Sequence, residues 1–336
     1  MSQKTKKQHY VPQCYLKRWD FSGAHQVYVY DKVQDKYRIN NVEDIASERY
    51  FYDLNKSDRF SSSLLEELRE NTFLSGYLSQ EQSIEHFFDE EIEKPFSTLL
   101  SKITAKVPTL TPWHIKNCYF INEEEKKEFS VYLAFQFLRT KKVRQVIGDT
   151  CNLINQWLSD SKSSAENFAR LGWDEDEKGK TQIEMLFNLQ SLSEFVKSFY
   201  EKTWVLGINA TEKKFFTSDN PIGTIGHLHN QYCPNNGIGS KGVEIFYPLS
   251  PDIVLMMVDD SYHTTLRCME RKYHLLESTD EIDEYNAVIA QQSNRFVFSI
   301  DKDMSVIEEL KKKYPSILTY PQVVLHAGDK TFFPNK

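Results

Sequence analysis

Apolar and polar positions change their period twice along the chain. Near the start, Val27-Tyr-Val-Tyr30 and Lys36-Tyr-Arg-Ile39 flank the polar stretch Asp31–Asp35 and predict a β-hairpin. Ahead of it, Pro12 can open a short helix that places Tyr15, Leu16 and Trp19 on one apolar side. Arg49–Asp53 predicts a further short strand. From about 60 to 200 the period becomes helical. Ser63-x-x-Glu66, Ser79-x-x-Gln82 and Asn122-x-x-Glu125 each carry the capping-box pattern before an apolar run. Ile84, Phe87, Phe88, Ile92, Phe96, Leu99 and Ile103 then repeat at helical spacing, and Pro95 should kink or split that helix. A longer stripe runs from Phe129 to Leu158 and reads as one helix, interrupted by polar Gln136, Arg139 and Thr140. Residues 159–181 read as a polar connection, after which Thr181-x-x-Glu184 caps a helix bearing Leu186, Leu189, Phe195, Val196 and Phe199.

Beyond 202 strands return, at 203–208, 213–217, 243–247, 252–258, 295–300 and 317–325. They are interrupted by helices near 280–292, with Ser278-x-x-Glu281 as its cap, and near 303–313, ended by Pro315. Strands at both ends of a helical middle predict an α+β fold. The expected sheet is mixed or antiparallel and built jointly from the N- and C-terminal segments. Residues 60–200 form a helical insertion within one domain spanning 1–336.

Composition narrows the classes. Hydrophobic residues at 40% and charged residues at 26% describe a folded globular chain. The 18 Tyr and 22 Phe call for a ring-rich core or a ring-lined cleft. A net charge of −7 argues against a generally basic nucleic-acid coat while leaving room for local basic patches. Cys14, Cys118, Cys151, Cys233 and Cys268 form no CxxC pair, so reduced thiols are the simpler reading. No apolar run approaches the ~20 residues of a membrane span, and a cytoplasmic location is the default. Neither a metal nor another cofactor is expected.

Several literal motif matches lack their context. Gly237-Ile-Gly239-Ser-Lys-Gly242 fits GxGxxG but leads into a strand rather than a helix, so it cannot cradle phosphate in the usual way. His227-x-His229 with Cys233 has loosely ligand-like spacing without a fourth ligand nearby. Lys141, Lys142 and Arg144 read as a solvated helix face.

Candidate chemistry gathers at three places. His9 lies beside Tyr10, rigid Pro12 and Gln13, with an ordinary pKa suited to acid–base work; the structural alternative is a histidine that pins the N-terminus. Thr217-Ser-Asp-Asn220 masses four short polar side chains where Pro221 stops a strand, either as a site or as Asx turn chemistry. Gln136 and Arg139 share a helix face within an apolar stripe, so Arg139 could bind a phosphate or carboxylate, or brace the core against Asp219 or Glu85.

Two of these stretches carry a resemblance. His9-Tyr-Val-Pro-Gln-x-Tyr-Leu and Phe216-Thr-Ser-Asp-Asn-Pro resemble an uncharacterised bacterial family, a domain of unknown function marked by HYVP and TSDNP signatures. Asn41–Tyr52, Gln136-x-x-Arg139-Thr140 and Phe246-Tyr-Pro-Leu-Ser-Pro251 resemble its supporting segments, and Cys14 departs from it where an aromatic is expected. The resemblance implies a setting in prophage-borne antiviral cassettes, hence a toxic or abortive effector, and brings no established reaction. The resulting expectation is a nuclease acting on RNA. In it His9 serves as acid/base, Asp219 and Asn220 orient it or the substrate, Arg139 stabilises phosphate charge, and Tyr10, Gln13, Gln136, Thr217 and Ser218 contact substrate. Surplus Tyr and Phe would stack on bases. The alternative is a non-catalytic module that recognises a viral trigger protein through an aromatic surface. A further possibility is a small-molecule enzyme working on a nucleotide.

Overall fold

A computed structural model describes residues 7–52, 83–160, 175–230, 233–234, 237–262, 264–315, 325–327 and 330–332. The chain opens with β1 (Lys7–His9) and α1 (Gln13–Leu16), which tightens into a 3₁₀ turn at Lys17–Trp19. Pro12 stands just ahead of α1, and Tyr15, Leu16 and Trp19 are all fully buried, as the spacing predicts. The hairpin follows as β2 (Gln26–Asp31) and β3 (Lys36–Asn41). The next strand, β4 (Ser47–Arg49), starts earlier than expected because it pairs with β1, placing His9 opposite Ser47.

Described helices resume with α2 (Ser83–Phe87), which widens into a π turn at Phe88–Glu93 and continues as α3 (Lys94–Lys106). Pro95 lies just past the wide turn. A π turn shifts the helical register by a residue, which accommodates a proline that can neither donate nor tolerate the usual carbonyl beneath it. α4 (Pro112–Asn117) precedes α5 (Glu123–Leu138), where both reciprocal bonds of the Asn122–Glu125 capping box form. α5 is buried nearly all round and forms the spine of the helical layer.

The long stripe is two helices rather than one. α5 stops at Arg139, and α6 (Lys141–Asp160) begins after Thr140, whose hydroxyl accepts the Val143 N–H. The carbonyls freed at Leu138 and Thr140 both accept from Gln182 Nε2 at 2.8 Å, so a distant side chain stabilises a break that no Gly or Pro announces. The polar connection is also shorter than expected, since α7 (Glu175–Phe187) starts before Thr181. α8 (Leu189–Tyr200) follows, capped by Asn188 accepting from Ser191 N–H.

The remaining elements are β5 (Thr203–Asn209), β6 (Thr217–Ser218), β7 (Gly223–Gly226), β8 (His229–Asn230), β9 (Cys233–Pro234), β10 (Val243–Ser250), β11 (Ile253–Val258), β12 (Lys272–Leu276), α9 (Thr279–Gln292), β13 (Phe296–Ser299), α10 (Ser305–Lys313), β14 (Leu325–Ala327) and β15 (Lys330–Phe332). Ser278 precedes α9 without a side-chain cap bond. The strands β7 and β12 were not foreseen, and β6 is shorter than the expected 213–217. The capping boxes at Ser63 and Ser79 lie outside the described residues, as does most of the expected strand 317–325.

The architecture is α+β, with a correction to its sheet. Two main sheets form where one was expected. The five-stranded sheet β12-β5-β11-β10-β7 comes wholly from the C-terminal part of the chain, with β12 parallel to β5 and the other pairs antiparallel. Every residue of β11 (Ile253-Val-Leu-Met-Met-Val258) is buried, so both faces of this sheet are covered. The four-stranded sheet β3-β2-β13-β6 does join the two ends of the chain, pairing Tyr30 with Val297 and Val297 with Ser218. The surplus rings fill the core: Tyr15, Trp19, Tyr52, Phe120, Phe129, Trp204, Tyr247 and Tyr273 are buried. Among the described residues no helix is long and apolar enough to cross a membrane.

Candidate functional site

His9 ends β1, and the chain then turns inward. Tyr10 and Val11 are buried, Tyr10 N–H donates to the Ala46 carbonyl at 3.0 Å, and Pro12 starts α1. The carbonyls of His9 and Tyr10 are met by side chains at the end of α5. Gln136 Nε2 donates to the Tyr10 carbonyl at 3.1 Å, and Arg139 donates to it through Nε at 3.1 Å. Arg139 Nη2 reaches the His9 carbonyl at 3.4 Å and Glu93 Oε1 at 2.7 Å, while the guanidinium lies 4.8 Å from the Phe88 ring centre. The helical Gln/Arg pair therefore grips the backbone of the HYVP segment. Its ion-pair partner is Glu93, delivered by the π turn, rather than Asp219.

His9 itself is only 9% exposed. Burial first, and the Arg139 charge second, push its pKa down to about 4, against a smaller upward pull from the backbone of Val42 and Glu43. At neutral pH the ring is uncharged. Gln13 Nε2 approaches Nδ1 at 3.4 Å, the backbone of Val42 and Glu43 approaches the ring, and Nε2 is itself buried.

The ring lies on the wall of an open cleft of about 470 Å³, lined also by Gln13, Cys14, Glu85, His86, Asp89, Glu93, Lys94 and Ser97. Glu85, Asp89 and Glu93 recur every four residues across α2 and the π turn. Their charge is partly offset within the wall: Lys94 pairs with Asp89 at 3.3 Å and with Glu90, and Arg139 holds Glu93 from behind. The Cys14 thiol is pushed up to about 11, chiefly by burial, and is therefore a poor nucleophile.

The TSDNP corner is built differently. Tyr15, from the helix that follows HYVP, donates its hydroxyl to the Pro248 carbonyl and meets Thr217 Oγ1, both at 2.7 Å. Trp19 Nε1 donates to the Phe215 carbonyl at 2.9 Å. The two signatures thus pack together through Tyr15 and Trp19. Ser218 Oγ donates to the Asn220 carbonyl and accepts the Asn220 N–H, closing a tight turn ahead of Pro221. Asp219 is 1% exposed, and its two oxygens accept the backbone N–H groups of Asn294, Arg295 and Phe296 at 2.8–3.0 Å. Burial raises its pKa to about 6 despite those bonds and the nearby Lys32.

This corner clamps the link between α9 and β13. Asn220 Nδ2 donates to the Gln292 carbonyl at 3.1 Å. Lys32 Nζ donates to the carbonyls of Ala290, Gln291 and Ser293, and Lys142 Nζ to that of Gln292. Two ammonium groups thereby cap the C-terminus of α9, the end that favours positive charge. Desolvation holds both lysines down to about 8, with Asp219 pulling them back up. Lys142 is thus a half-buried cap rather than part of a solvated basic face.

Of the residues singled out in the sequence, His9 and Gln13 line the cleft. Arg139, Gln136 and Tyr10 stand behind it, and Thr217, Ser218, Asp219 and Asn220 form the separate corner. Missed were His86, Asp89, Glu93 and Lys94, while Glu85 was named only as a brace for Arg139. Their four-residue acidic spacing was visible, but that helix was read only from its apolar side. Among the described residues the cleft wall includes no Phe, Tyr or Trp. Among the described residues no group of three or more His, Cys, Asp or Glu is arranged to hold a metal ion.

The family model described as "Protein of unknown function (DUF4238)" matches residues 7–303, nearly the whole described chain. The chain belongs to this family. The match takes in both signatures, the cleft and the corner of this DUF4238 protein. No curated protein and no solved structure matches it.

Proposed function

We propose that this DUF4238 protein is an enzyme that cleaves RNA with the His9 cleft as its active site, acting as a growth-arresting effector in bacterial antiviral defence. The observation that carries the chemistry is a neutral imidazole, His9, on the wall of a cleft of about 470 Å³ that a second imidazole, His86, also lines. A neutral histidine can accept a proton. In this reading the His9 ring takes the proton of a ribose 2′-hydroxyl, O2′ attacks the adjacent phosphorus, and the bond from phosphorus to the 5′ oxygen breaks. His86, the second imidazole of the wall, returns a proton to the departing oxygen. Lys94 faces the phosphate, and Glu85 and Asp89 accept hydrogen bonds from ribose or base donors. The wall's carboxylates and the chain's net charge of −7 disfavour a long polyanion, so the substrate is one splayed ribonucleotide rather than an extended tract.

Arg139, Gln136 and Tyr10 are then positioning residues that fix the His9 backbone. Thr217, Ser218, Asp219 and Asn220 hold the scaffold behind them. The defence setting is supported by the resemblance of the HYVP and TSDNP segments.

The test is induced expression of wild type, His9→Ala and His86→Ala, with growth, soluble protein and total RNA followed together. The expected result is arrest with fragmented RNA in wild type and intact RNA in both soluble variants. Arrest with intact RNA overturns the substrate assignment, and arrest that persists in soluble His9→Ala overturns the active site.

One observation favours a second reading, a module that binds a protein trigger. Val131, Leu189, Leu192, Val196 and Tyr200 line an open, largely apolar groove of about 460 Å³ between α5 and α8. Absence of arrest until a virus is present would favour that reading.

A further inference from the structure

The cleft takes one ribonucleotide between walls rich in carboxylate, so the rest of an RNA strand needs its hold elsewhere. The sequence marks one place. Residues 94–122 are the longest stretch of this acidic chain without Asp or Glu, and they carry four lysines. Lys94 and Lys102 are taken up by Asp89, Glu90 and Glu125, all outside the stretch. Among the described residues Lys116 has no acidic partner, and neither has Lys272 of β12.

The end of this stretch is fixed against the edge of the five-stranded sheet. Thr111 and His114 cap α4 reciprocally, with Pro112 in its first turn. α4 packs along β12, the outer strand. The Phe120 N–H donates to the Arg271 carbonyl at 3.0 Å, and the buried Phe120 ring meets that of Tyr273 edge to face. Two other rings on the same segment stay open to solvent. Trp113 is 64% exposed and Tyr119 57%, the most exposed large hydrophobic side chains among the described residues. The Arg271 guanidinium lies 5.0 Å from the Tyr119 ring centre and pairs with Glu123 at 3.4 Å. β12 adds Lys272 and an exposed His274, and from Pro112 to Phe120 and along β12 there is no carboxylate.

We propose that this surface docks single-stranded RNA, with bases stacked on Trp113 and Tyr119 and phosphates met by Lys116 and Lys272. It supplies the grip that the cleft lacks, and the proposal rests on the RNA-cleaving reading. Open rings set among unpaired lysines suit a single strand, because every base has a π-face and every linkage a charge. The path is short. α3 starts in the cleft wall with Lys94 and Ser97 and runs about 18 Å to the turn that leads into α4, a span that about five stacked nucleotides cover.

The experiment reads binding apart from cleavage. A labelled 2′-O-methyl RNA of about 12 nucleotides, which the proposed chemistry cannot cut, is titrated by fluorescence anisotropy at two salt concentrations. Wild type, Trp113→Ala, Tyr119→Ala and Lys116→Gln are compared, with Tm confirming each fold, and cleavage of the unmodified oligonucleotide is followed in parallel. Each ring removed should raise Kd roughly 5-fold or more. Lys116→Gln should also raise it and lower the salt slope by about one. Unchanged Kd in the folded ring variants overturns the proposal, as does a wild type that binds no RNA. If the ring variants lose binding while wild type leaves unmodified RNA intact, the docking surface stands and the cleavage reading falls. If wild type cleaves and the ring variants bind and cleave equally well, the cleavage reading stands and the docking surface falls. In a last arm anionic lipid vesicles replace the RNA. Vesicle capture that needs Trp113, without RNA binding, assigns the surface to a membrane and overturns the proposal.

Discussion

His9 and Asp219 make opposite demands on pH, and the pair supplies a sharp test of how each is buried. His9 has its folded pKa near 4 against 6.5 in an unfolded chain. The unfolded state therefore binds the proton first, and stability is lost as pH falls from 6.5 toward 4. Asp219 has its folded pKa near 6 against 3.8. Here the folded state binds the proton first, so stability is gained as pH falls from 6 toward 4. Between pH 7 and pH 5, linkage assigns a loss of about 2 kcal/mol to His9 and a gain of about 1 kcal/mol to Asp219. The two largely cancel in the wild type. Urea unfolding at both pH values, on wild type, His9→Asn and Asp219→Asn, separates them because the remaining groups form a common background. Relative to wild type, His9→Asn should gain about 2 kcal/mol of stability on acidification and Asp219→Asn should lose about 1 kcal/mol. Identical pH dependence in His9→Asn and wild type would refute the claim that the fold holds this ring neutral.

Four further outcomes follow from the same geometry. Arg139→Ala strands Glu93 and the His9 carbonyl and leaves the Tyr10 carbonyl to Gln136 alone, and should cost about 3–5 kcal/mol in chemical denaturation; Arg139→Lys keeps the charge without the fork and should recover only part of it. Tyr15→Phe removes the hydroxyl that joins Thr217 to Pro248, with an expected cost of about 1–2 kcal/mol and unchanged secondary structure by circular dichroism. If His9 is the base, kcat/KM for RNA cleavage should stay level from pH 7 down to about 5.5, whereas a base of ordinary histidine pKa would already be failing. Lys142→Met should lose, relative to wild type, a gain of about 1 kcal/mol between pH 8 and pH 9, because a lysine with its folded pKa below its unfolded one stabilises increasingly as it deprotonates.

The legible parts of the fold were those decided locally. The hairpin alternates cleanly, the Asn122–Glu125 box forms as written, and Pro95 does disturb its helix. What escaped the sequence was decided at a distance. The break at Arg139–Thr140 depends on Gln182, and β1 pairs with β4 across 37 residues of intervening chain at the His9–Ser47 position. The candidate site divides along the same line. The signatures mark segments that pack together, but not which side chains face a cleft and which face backbone. Asp219 looked chemical because it is a carboxylate among hydroxyls. Three N–H groups more than 70 positions away turn it into a brace. Glu93 was invisible as a partner for Arg139 because only the π turn rotates it inward.

The sheet that joins the two ends of the chain has a consequence for biosynthesis. The hairpin β2–β3 leaves the ribosome early, yet β2 has no neighbour on its other side until β13 is made, with Tyr30 waiting for Val297. Lys32 waits equally long for the α9 carbonyls, 258 to 261 residues downstream. Until then Val27, Val29 and Tyr30 have no lasting cover, and an open strand edge is available to any other chain. Such long-range closure makes folding slow and effectively post-translational, so yield should respond strongly to chaperone supply and to growth temperature. Loss of β13 alone would leave β2 paired only with β3, its other edge open.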